Sequence, residues 1–177
     1  MTTLAHELAA GDAGAFAALY DRLAVRLLNT ARTMTASAAL AEDLVHDVFA
    51  ELVVHRHRLA AVTDLDAYVF TMLRHAVSRV RRRAAIDRRA RAAVLASRTA
   101  EGRLADRPVD VPDDGLEAAI AALPADQREV VALKIDGGLT FQEIAAVTGV
   151  SANTAASRYR YALEKLRTRL QPPGDDP

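Results

Sequence analysis

Polar side chains near the start of one predicted helix have the chemistry needed to read DNA. The helix spans residues 151–170, and its expected exposed face carries Asn153, Thr154, Ser157, Arg158 and Arg160. Amides and hydroxyls hydrogen-bond to base edges and phosphates, whereas guanidiniums bind phosphate or the major-groove edge of guanine. These residue types predict a helix that contacts DNA.

A run of arginines in the middle of the chain is a second candidate for binding an anion. Seven arginines lie between Arg79 and Arg91, and Asp87 is the one acid among them. Charges of one sign at this density repel one another unless an anionic partner neutralises them. The run therefore predicts a polyanion partner, with a merely solvated helix face as the alternative.

Acidic residues mark a third face, on the helix predicted at residues 37–54. Apolar residues recur there at helical spacing, and the positions between them carry Glu42, Asp43, His46, Asp47 and Glu51. Taken alone, these acids are the ordinary solvated surface of a helix. They follow no metal-ligand spacing, and the sequence has no nucleophile and base motif and no glycine-rich phosphate loop. We therefore expect a protein that is not an enzyme and that needs neither cofactor nor metal.

Two short helices joined by a tight turn must position the candidate DNA-reading residues. Thr140 and Glu143 predict a capping box at the start of the first helix, and Gly149 can end that helix in the left-handed conformation. Ser151 is a good N-cap for the second helix, so three residues separate the two helices. This spacing is typical of a helix-turn-helix, whose second helix enters the major groove. An ordinary amphipathic hairpin is the alternative.

Helical periodicity separates inward from outward positions on the longer helices. An apolar stripe near the N-terminus consists of Phe16, Leu19, Tyr20, Leu23, Leu27 and Leu28. On the helix predicted at residues 64–83, the residues expected to face the core are Leu65, Val69, Met72, Leu73, Ala76, Val77 and Val80. The residues expected to project outward from the same helix are Arg74, His75, Ser78, Arg79, Arg81, Arg82 and Arg83. On the helix of residues 151–170, the residues expected to face the core are Ala155, Tyr159, Ala162, Leu163 and Leu166.

The pattern along the chain predicts an all-α fold of two small helical domains joined by a flexible linker. Further helices are predicted at residues 4–10, 15–34, 116–122 and 124–135. After Arg91 the periodicity weakens and gives way to prolines, aspartates and a glycine, which are typical of a linker. We therefore place a first domain at residues 1–93, a linker at 94–114, a helix-turn-helix domain at 115–171 and a tail at 172–177.

Composition and charge limit the location and the partners of the protein. The 177 residues include no cysteine, and the sequence has no signal peptide and no apolar run near the roughly 20 residues of a membrane span. A cytoplasmic protein without membrane contact is expected. The net charge is zero, yet it divides unevenly, at −4 for residues 1–70, +8 for 71–107 and −4 for 108–177. A concentrated positive block matters more to a nearby phosphate backbone than the overall sum.

Three segments together resemble the extracytoplasmic-function (ECF) sigma factors, the small bacterial sigma subunits that direct RNA polymerase to promoters. Residues 41–52, AEDLVHDVFAEL, are similar to the family's polymerase-clamp-binding helix. Residues 66–75, DAYVFTMLRH, resemble the start of the helix that reads the minus-10 element. Residues 123–166 resemble the second DNA-binding domain. The resemblance covers nearly the whole chain.

The resemblance implies a sigma factor that binds core RNA polymerase and promoter DNA and directs promoter-specific transcription initiation. It assigns polymerase contacts to Asp43, His46, Asp47 and Phe49. It assigns the minus-10 element to Thr63, Asp64, Arg74, His75, Ser78, Arg79, Arg81, Arg82 and Arg83. It assigns the minus-35 element to Asn153, Thr154, Ser157, Arg158 and Arg160. Whether an anti-sigma factor also binds the chain stays open.

Several positions depart from the family's pattern, and two other classes compete with this interpretation. His46 stands in place of the usual glutamine, Tyr68 in place of a common tryptophan, and His75 and Arg79 in place of a frequent Asn and Asp. The main rival is a stand-alone helix-turn-helix regulator that binds symmetric operators as a dimer. A nucleic-acid hydrolase that uses the acidic helix is weaker, because its acids lie in no metal motif.

Overall fold

A computed structural model describes residues 4–98 and 115–171, and these residues form helices without any strand among them. The α-helices are α1 (Leu4–Ala10), α2 (Ala13–Thr35), α3 (Ala38–Val54), α4 (Leu65–Arg98), α5 (Gly115–Ala121), α6 (Ala125–Ile135), α7 (Phe141–Thr148) and α8 (Ala152–Leu170). A 3₁₀ helix (Arg56–Ala61) joins α3 to α4. The all-α fold class is confirmed.

Helices α1 to α4 form the first domain around the apolar stripe of α2. The Asp12 side chain caps α2 by accepting a 2.7 Å hydrogen bond from the Ala15 amide, and Ser37 caps α3. Leu19, Leu23 and Leu27 of α2 are fully buried, so α2 packs its apolar side against both α3 and α4.

Two arginines of α2 tie that helix to the start of α4. Arg22 and Arg26 each place a guanidinium nitrogen 2.8 Å from a carboxylate oxygen of Asp66. Charge-assisted pairs of this kind have more directional preference than apolar contacts. They therefore fix the relative orientation of α2 and α4.

Helices α5 to α8 form the second domain, the four-helix unit that the sequence predicts. Ala119, Leu123 and Val131 form a small buried cluster with Ala162 and Leu166 of α8. The α7 helix packs against α8 on one side and against α4 of the first domain on the other. Helix α7 therefore lies between α8 and the first domain.

The two domains share one core, which the prediction of separate domains did not include. Val130 and Leu133 of α6 and Ile144 of α7 belong to the same contiguous buried cluster as Leu27 and Phe70 of the first domain. Helix α6 packs along α2, and α7 packs along α4. The domain boundaries proposed from the sequence stay predictions, but the two units are in extensive contact.

Several predicted elements differ from the structure in length. Helix α4 continues to Arg98, well past the end predicted at Arg83, because alanines and arginines are good helix formers even without an apolar stripe. The helical residues thus include 94–98 of the predicted linker. Its remaining residues, 99–114, and the predicted tail at 172–177 lie outside the described residues.

Among the apolar residues, burial differs from the sequence-based expectation at three positions. Phe70 was not assigned to the inward face of α4, yet its side chain is fully buried between the two domains. Tyr20 was placed on the core stripe, but it is 52% exposed and packs against Phe49 with ring centroids 4.9 Å apart. Leu163 of α8, also expected to face inward, is 44% exposed.

Phe70→Ala is expected to lower the free energy of unfolding by about 3–5 kcal/mol, because it removes a buried ring from a core that both domains share. Urea denaturation measures the change. Val25→Ala is the control, since Val25 is 68% exposed and surface truncations usually stay within about 0.5 kcal/mol. Equal losses in the two variants would contradict the shared core.

Candidate nucleic-acid and partner interfaces

The turn between α7 and α8 has the predicted helix-turn-helix geometry. Thr140 and Glu143 form the capping box, with the Thr140 amide 2.6 Å from a Glu143 carboxylate oxygen and the Glu143 amide 3.2 Å from the Thr140 hydroxyl. Gly149 ends α7 at φ 73°, in the left-handed conformation, and Ser151 caps α8. Three residues therefore separate the helices, as predicted.

The hydrogen bonds to Thr140 lower the pKa of Glu143, the backbone amide first and the hydroxyl second. A carboxylate accepts these hydrogen bonds better than a neutral carboxyl group does, so the charged form is favoured. The cap therefore depends on the ionised state of Glu143. This dependence couples the start of α7 to pH.

The predicted DNA-reading residues of α8 differ in how free they are. Asn153 and Thr154 lie exposed in the first turn, with the Thr154 hydroxyl 2.8 Å from that of Ser151. Arg158 is half-buried and pairs with Asp126 of α6, its Nε 3.2 Å from a carboxylate oxygen. Arg160 is exposed, and its guanidinium lies 5.4 Å from the ring centre of Tyr161. The first turn of α8 is the part that projects freely.

The basic face of α4 is less free than the sequence suggested. Arg74 was predicted to project outward, but it is half-buried, and its Nε lies 3.0 Å from a carboxylate oxygen of Glu129 in α6. Arg81 was also predicted outward, yet it donates a 2.6 Å hydrogen bond to the Met34 carbonyl. Arg79 lies 3.7 Å from a Glu51 carboxylate oxygen at the surface. Each of these guanidiniums has a partner within the chain.

Other residues of the basic face of α4 are exposed to solvent. Arg82 and Arg83 are exposed, as is His75 one turn before Arg79, whereas Ser78 is half-buried. In the loop before α4, Thr63 is exposed and Asp64 accepts a 3.0 Å hydrogen bond from the Ala67 amide, so Asp64 serves as the cap of α4. The predicted minus-10 residues therefore divide into free cations and groups with structural partners.

An apolar groove beside an acidic rim lies between α2 and α3. Its volume is about 340 Å³, and its lining residues are Tyr20, Ala24, Val25, Leu28, Glu42, Val45, His46 and Phe49. Asp43 and Asp47 are exposed on the same helix as His46. An exposed apolar patch with a charged rim is typical of a protein interaction site. Of the four predicted polymerase-binding residues, His46 and Phe49 line the groove, whereas Asp43 and Asp47 are exposed on the same helix without lining it.

Residues at the junction of the domains were missed by the sequence analysis. They are Arg26, Thr33, Glu129, Asp136 and Gly137, and all make polar contacts between the domains. One signal was available for Glu129, an acid at the boundary of an apolar run in α6, where it is largely buried. Its partner Arg74 lies 55 residues away in the sequence, so no local pattern indicated this pair.

Groups of three or more His, Cys, Asp and Glu side chains that could hold a metal ion do not occur among the described residues. The described helices also include none that is long and apolar enough to cross a membrane. The candidate surfaces considered below are the groove of α2 and α3, the basic face of α4 and the first turn of α8.

Comparison with known proteins matches both domains to one family. The model for sigma-70 region 2 matches residues 19–86, and the model for sigma-70 region 4 matches residues 114–166. ECF RNA polymerase sigma factor SigL of Mycobacterium tuberculosis is 32% identical over 165 residues, which cover 92% of this chain and 93% of SigL. This chain belongs to the ECF sigma factors of the sigma-70 family. It binds core RNA polymerase and directs promoter-specific transcription initiation.

A further relative agrees with this assignment, and two solved structures have a similar fold. RNA polymerase sigma factor CarQ of Myxococcus xanthus is 30% identical, with 90% of this chain and 91% of CarQ covered. CnrH in complex with the cytosolic domain of CnrY is similar at a TM-score of 0.67 and 25% identity, with 94% of each chain covered. The sigma factor RpoE in complex with the anti-sigma factor NepR from Bartonella quintana shares the fold, at a TM-score of 0.62, 24% identity and coverage of 87% and 96%.

The family assignment also decides between the classes that competed. Sigma factors are non-catalytic initiation factors, so the hydrolase is not favoured. A stand-alone regulator is not favoured either, because region 2 accounts for the first domain. Helices α1 to α4 are called region 2 below, and α5 to α8 are called region 4.

The capping box of this sigma factor makes a prediction about acid stability. Because the folded-state pKa of Glu143 lies below its ordinary value, the carboxylate stabilises the fold above about pH 4.3. That contribution is lost as pH falls through the lowered folded-state value. Glu143→Gln keeps an acceptor without a titrating group, so urea denaturation across this range should show a flatter pH dependence in the variant.

Thr140→Ala serves as the comparison for that variant. It removes the hydroxyl that caps the Glu143 amide and should cost about 1 kcal/mol at neutral pH. An unchanged pH dependence in Glu143→Gln would mean that the capping carboxylate does not contribute to acid sensitivity.

Proposed function

We propose that the chain attaches to the polymerase clamp through the acidic and apolar side of α3. The observation that carries this proposal is the groove of about 340 Å³ between α2 and α3, which His46 and Phe49 line. Asp43 and Asp47 are exposed on the same helix. Val25 and Tyr20 are more than half exposed at this groove. An apolar centre with a charged rim supports binding to a protein partner of complementary shape and charge.

Region 2 holds the minus-10 element through exposed side chains of α4, including Arg82 and Arg83, and through the loop before that helix. Arg82 and Arg83 offer phosphate contacts, which supply affinity without sequence preference. Thr63 and His75 are exposed near the start of the same face and offer hydrogen bonds to unpaired bases. Asp64 contributes indirectly, by capping α4 and fixing the loop.

Region 4 reads the minus-35 element with the first turn of α8. Asn153 and Thr154 are exposed at the helix start, where major-groove contacts are made in helix-turn-helix proteins. Ser157 and Arg160 lie further along the helix and contact the phosphate backbone of the DNA. Arg158 joins them when its pairing with Asp126 is exchanged for a phosphate or a guanine.

The remaining parts of the proposal concern location, catalysis and regulation. The protein acts in the cytoplasm, where core polymerase and promoter DNA are found, and has no catalytic activity of its own. The two similar structures contain CnrY and the anti-sigma factor NepR. These complexes support a search for an anti-sigma partner of this chain.

Replacing Asp43 and Asp47 together with arginine should abolish assembly with core polymerase, because it reverses the charge of the rim beside the groove. Both side chains are exposed, so folding should survive. Pull-down with core polymerase measures binding, and circular dichroism checks the fold. Glu7→Arg with Glu164→Arg is the control, since it makes the same charge change on other helices. Normal polymerase binding by the folded Asp43 and Asp47 double variant would refute the clamp assignment.

The purified protein should bind duplex DNA poorly at physiological salt, because residues 108–177, which include region 4, carry a net charge of −4. Once core polymerase holds it at a promoter, its effective concentration there can raise avidity by about 10² to 10⁴ without new contacts. Specific transcription should therefore require polymerase. Gel-shift titration and run-off transcription measure the two quantities. Tight, specific operator binding by the protein alone would instead favour the stand-alone regulator.

A further inference from the structure

Helix α4 continues beyond the part of the chain that the model for sigma-70 region 2 matches. The match ends at residue 86, whereas α4 continues to Arg98. From Ile86 to Ala92 every residue is exposed, so no side of this stretch is buried against the protein. A helix in a folded protein gains most of its stability from a packed apolar face. This stretch has no such face, and its surface is open to a partner on every side.

The arginines in this part of α4 have no counter-charge within the chain. Arg74 and Arg79 pair with carboxylates, and Arg81 donates to a carbonyl oxygen. Among the described residues, the guanidiniums of the exposed arginines after Arg81 have no ion pair or hydrogen bond. These arginines are Arg82, Arg83, Arg88, Arg89 and Arg91. The charge of α4 that is free to bind an anion is therefore concentrated after Arg81.

The free arginines lie on opposite sides of the helix. At about 100° per residue, Arg89 lies within about 20° of Arg82, whereas Arg91 lies about 180° from Arg82. Arg88 lies about 60° from Arg91. We call Arg82 and Arg89 the near side, because Arg82 belongs to the proposed minus-10 contacts, and Arg88 and Arg91 the far side. A helix that lay flat on one phosphate backbone could use only one of these sides.

The major groove of duplex DNA offers phosphates to both sides of a helix at once. The groove is about 12 Å wide, and an α-helix with its side chains is about 10–12 Å in diameter. Alanines keep the helix thin between its cations, at positions 84, 85, 90 and 92. Continuous basic helices of other DNA-binding proteins lie in the major groove in this way. The width of the helix and the placement of its charges therefore both fit this groove.

Other polyanions fit the arrangement less well. A single strand has one phosphate backbone, which meets a straight helix on one side. Duplex RNA has two backbones, but its major groove is deep and narrow. The presence of cations on two opposite sides thus favours B-form duplex DNA as the partner.

We propose that residues 82–92 of α4 lie in the major groove of duplex DNA, with the near-side arginines on the phosphates of one strand and the far-side arginines on those of the other. The stretch has five arginines and one acid, Asp87, and so a net charge of +4. Phosphate contacts carry no sequence information, so this contact adds affinity for any duplex. In the sigma factor it holds the duplex beside the minus-10 element, and this role rests on the proposed function.

The salt dependence of binding tests the groove contact. The full chain is titrated into a fluorescent DNA duplex without promoter elements, between about 50 and 200 mM salt. Each phosphate contact contributes about 0.9 to the slope of log K against log salt. Arg88→Gln with Arg91→Gln should therefore make the slope shallower by about 1.8. Arg82→Gln with Arg89→Gln should have an effect of the same size, because the groove places phosphates on both sides.

Matched variants separate the effect of charge from effects on folding and on other surfaces. Arg88→Lys with Arg91→Lys keeps both cations and should keep the slope, because lysine also binds phosphate. Arg167→Gln with Arg169→Gln removes two exposed arginines from the last turn of α8 and should leave the slope unchanged. Circular dichroism checks that each variant keeps the helical content of the parent chain.

Two further probes distinguish the groove from a general attraction to polyanions. They are single-stranded DNA and an RNA duplex, each with the sequence of the DNA probe. Both should bind more weakly than the DNA duplex at the same salt concentration, because neither offers two phosphate walls that admit a helix.

Four results would overturn the proposal. They are the absence of duplex binding at about 50 mM salt, a slope that the substitutions on one side leave unchanged, an equal loss in the α8 control, and RNA or single-stranded DNA that binds as tightly as the DNA duplex. The probes contain neither promoter nor polymerase, so the slopes remain informative if the clamp and promoter assignments fail. Failure of the proposed function would appear separately, as parent protein that does not assemble with core polymerase.

Discussion

The packing of α2, α4 and the turn before α7 depends on the contacts of the Arg26 side chain. One guanidinium pairs with the Asp66 carboxylate at 2.8 Å, lies over the Phe70 ring and donates to the Gly137 carbonyl. A planar cation with five donors can bridge three such groups, which a lysine could not do in the same geometry. Because Asp66 and Phe70 belong to α4 and Gly137 to the turn before α7, this residue fixes both the packing within region 2 and the seat of region 4.

How far the sequence could predict the molecule depends on the separation of the interacting residues. The caps of α7 and α8 join residues three positions apart, so Thr140 with Glu143, Gly149 and Ser151 were predicted correctly. The contact between Arg26 and Gly137 joins residues 111 positions apart, and no local pattern indicates it. Phe70 was missed for a related reason: α4 packs on two sides, and a single apolar stripe describes one of them.

The candidate site shows the same limit. Residue types and helical spacing predicted the exposed first turn of α8, the acidic side of α3 and the arginines of α4 as candidate contacts. They did not show which charges already have partners, because Glu129 and Asp126 approach Arg74 and Arg158 through tertiary packing. Which of the predicted residues contact polymerase or DNA stays a prediction, whereas the internal partners of these arginines are structural facts.

Five arginines of α4 are exposed, at positions 82, 83, 88, 89 and 91. Different polyanions in the cell compete for such a cluster of cations. Neighbouring cations on one helix repel each other, so this part of α4 is most stable when its charges are neutralised. In a cell, abundant RNA and non-promoter DNA offer phosphates to the same side chains. A promoter is then reached by exchange of one polyanion for another, and the net affinity is the difference between two electrostatic terms that largely cancel. The proposed function therefore assigns selectivity to groups that do not exchange in this way, namely the hydrogen-bonding residues of α8 and of the loop before α4.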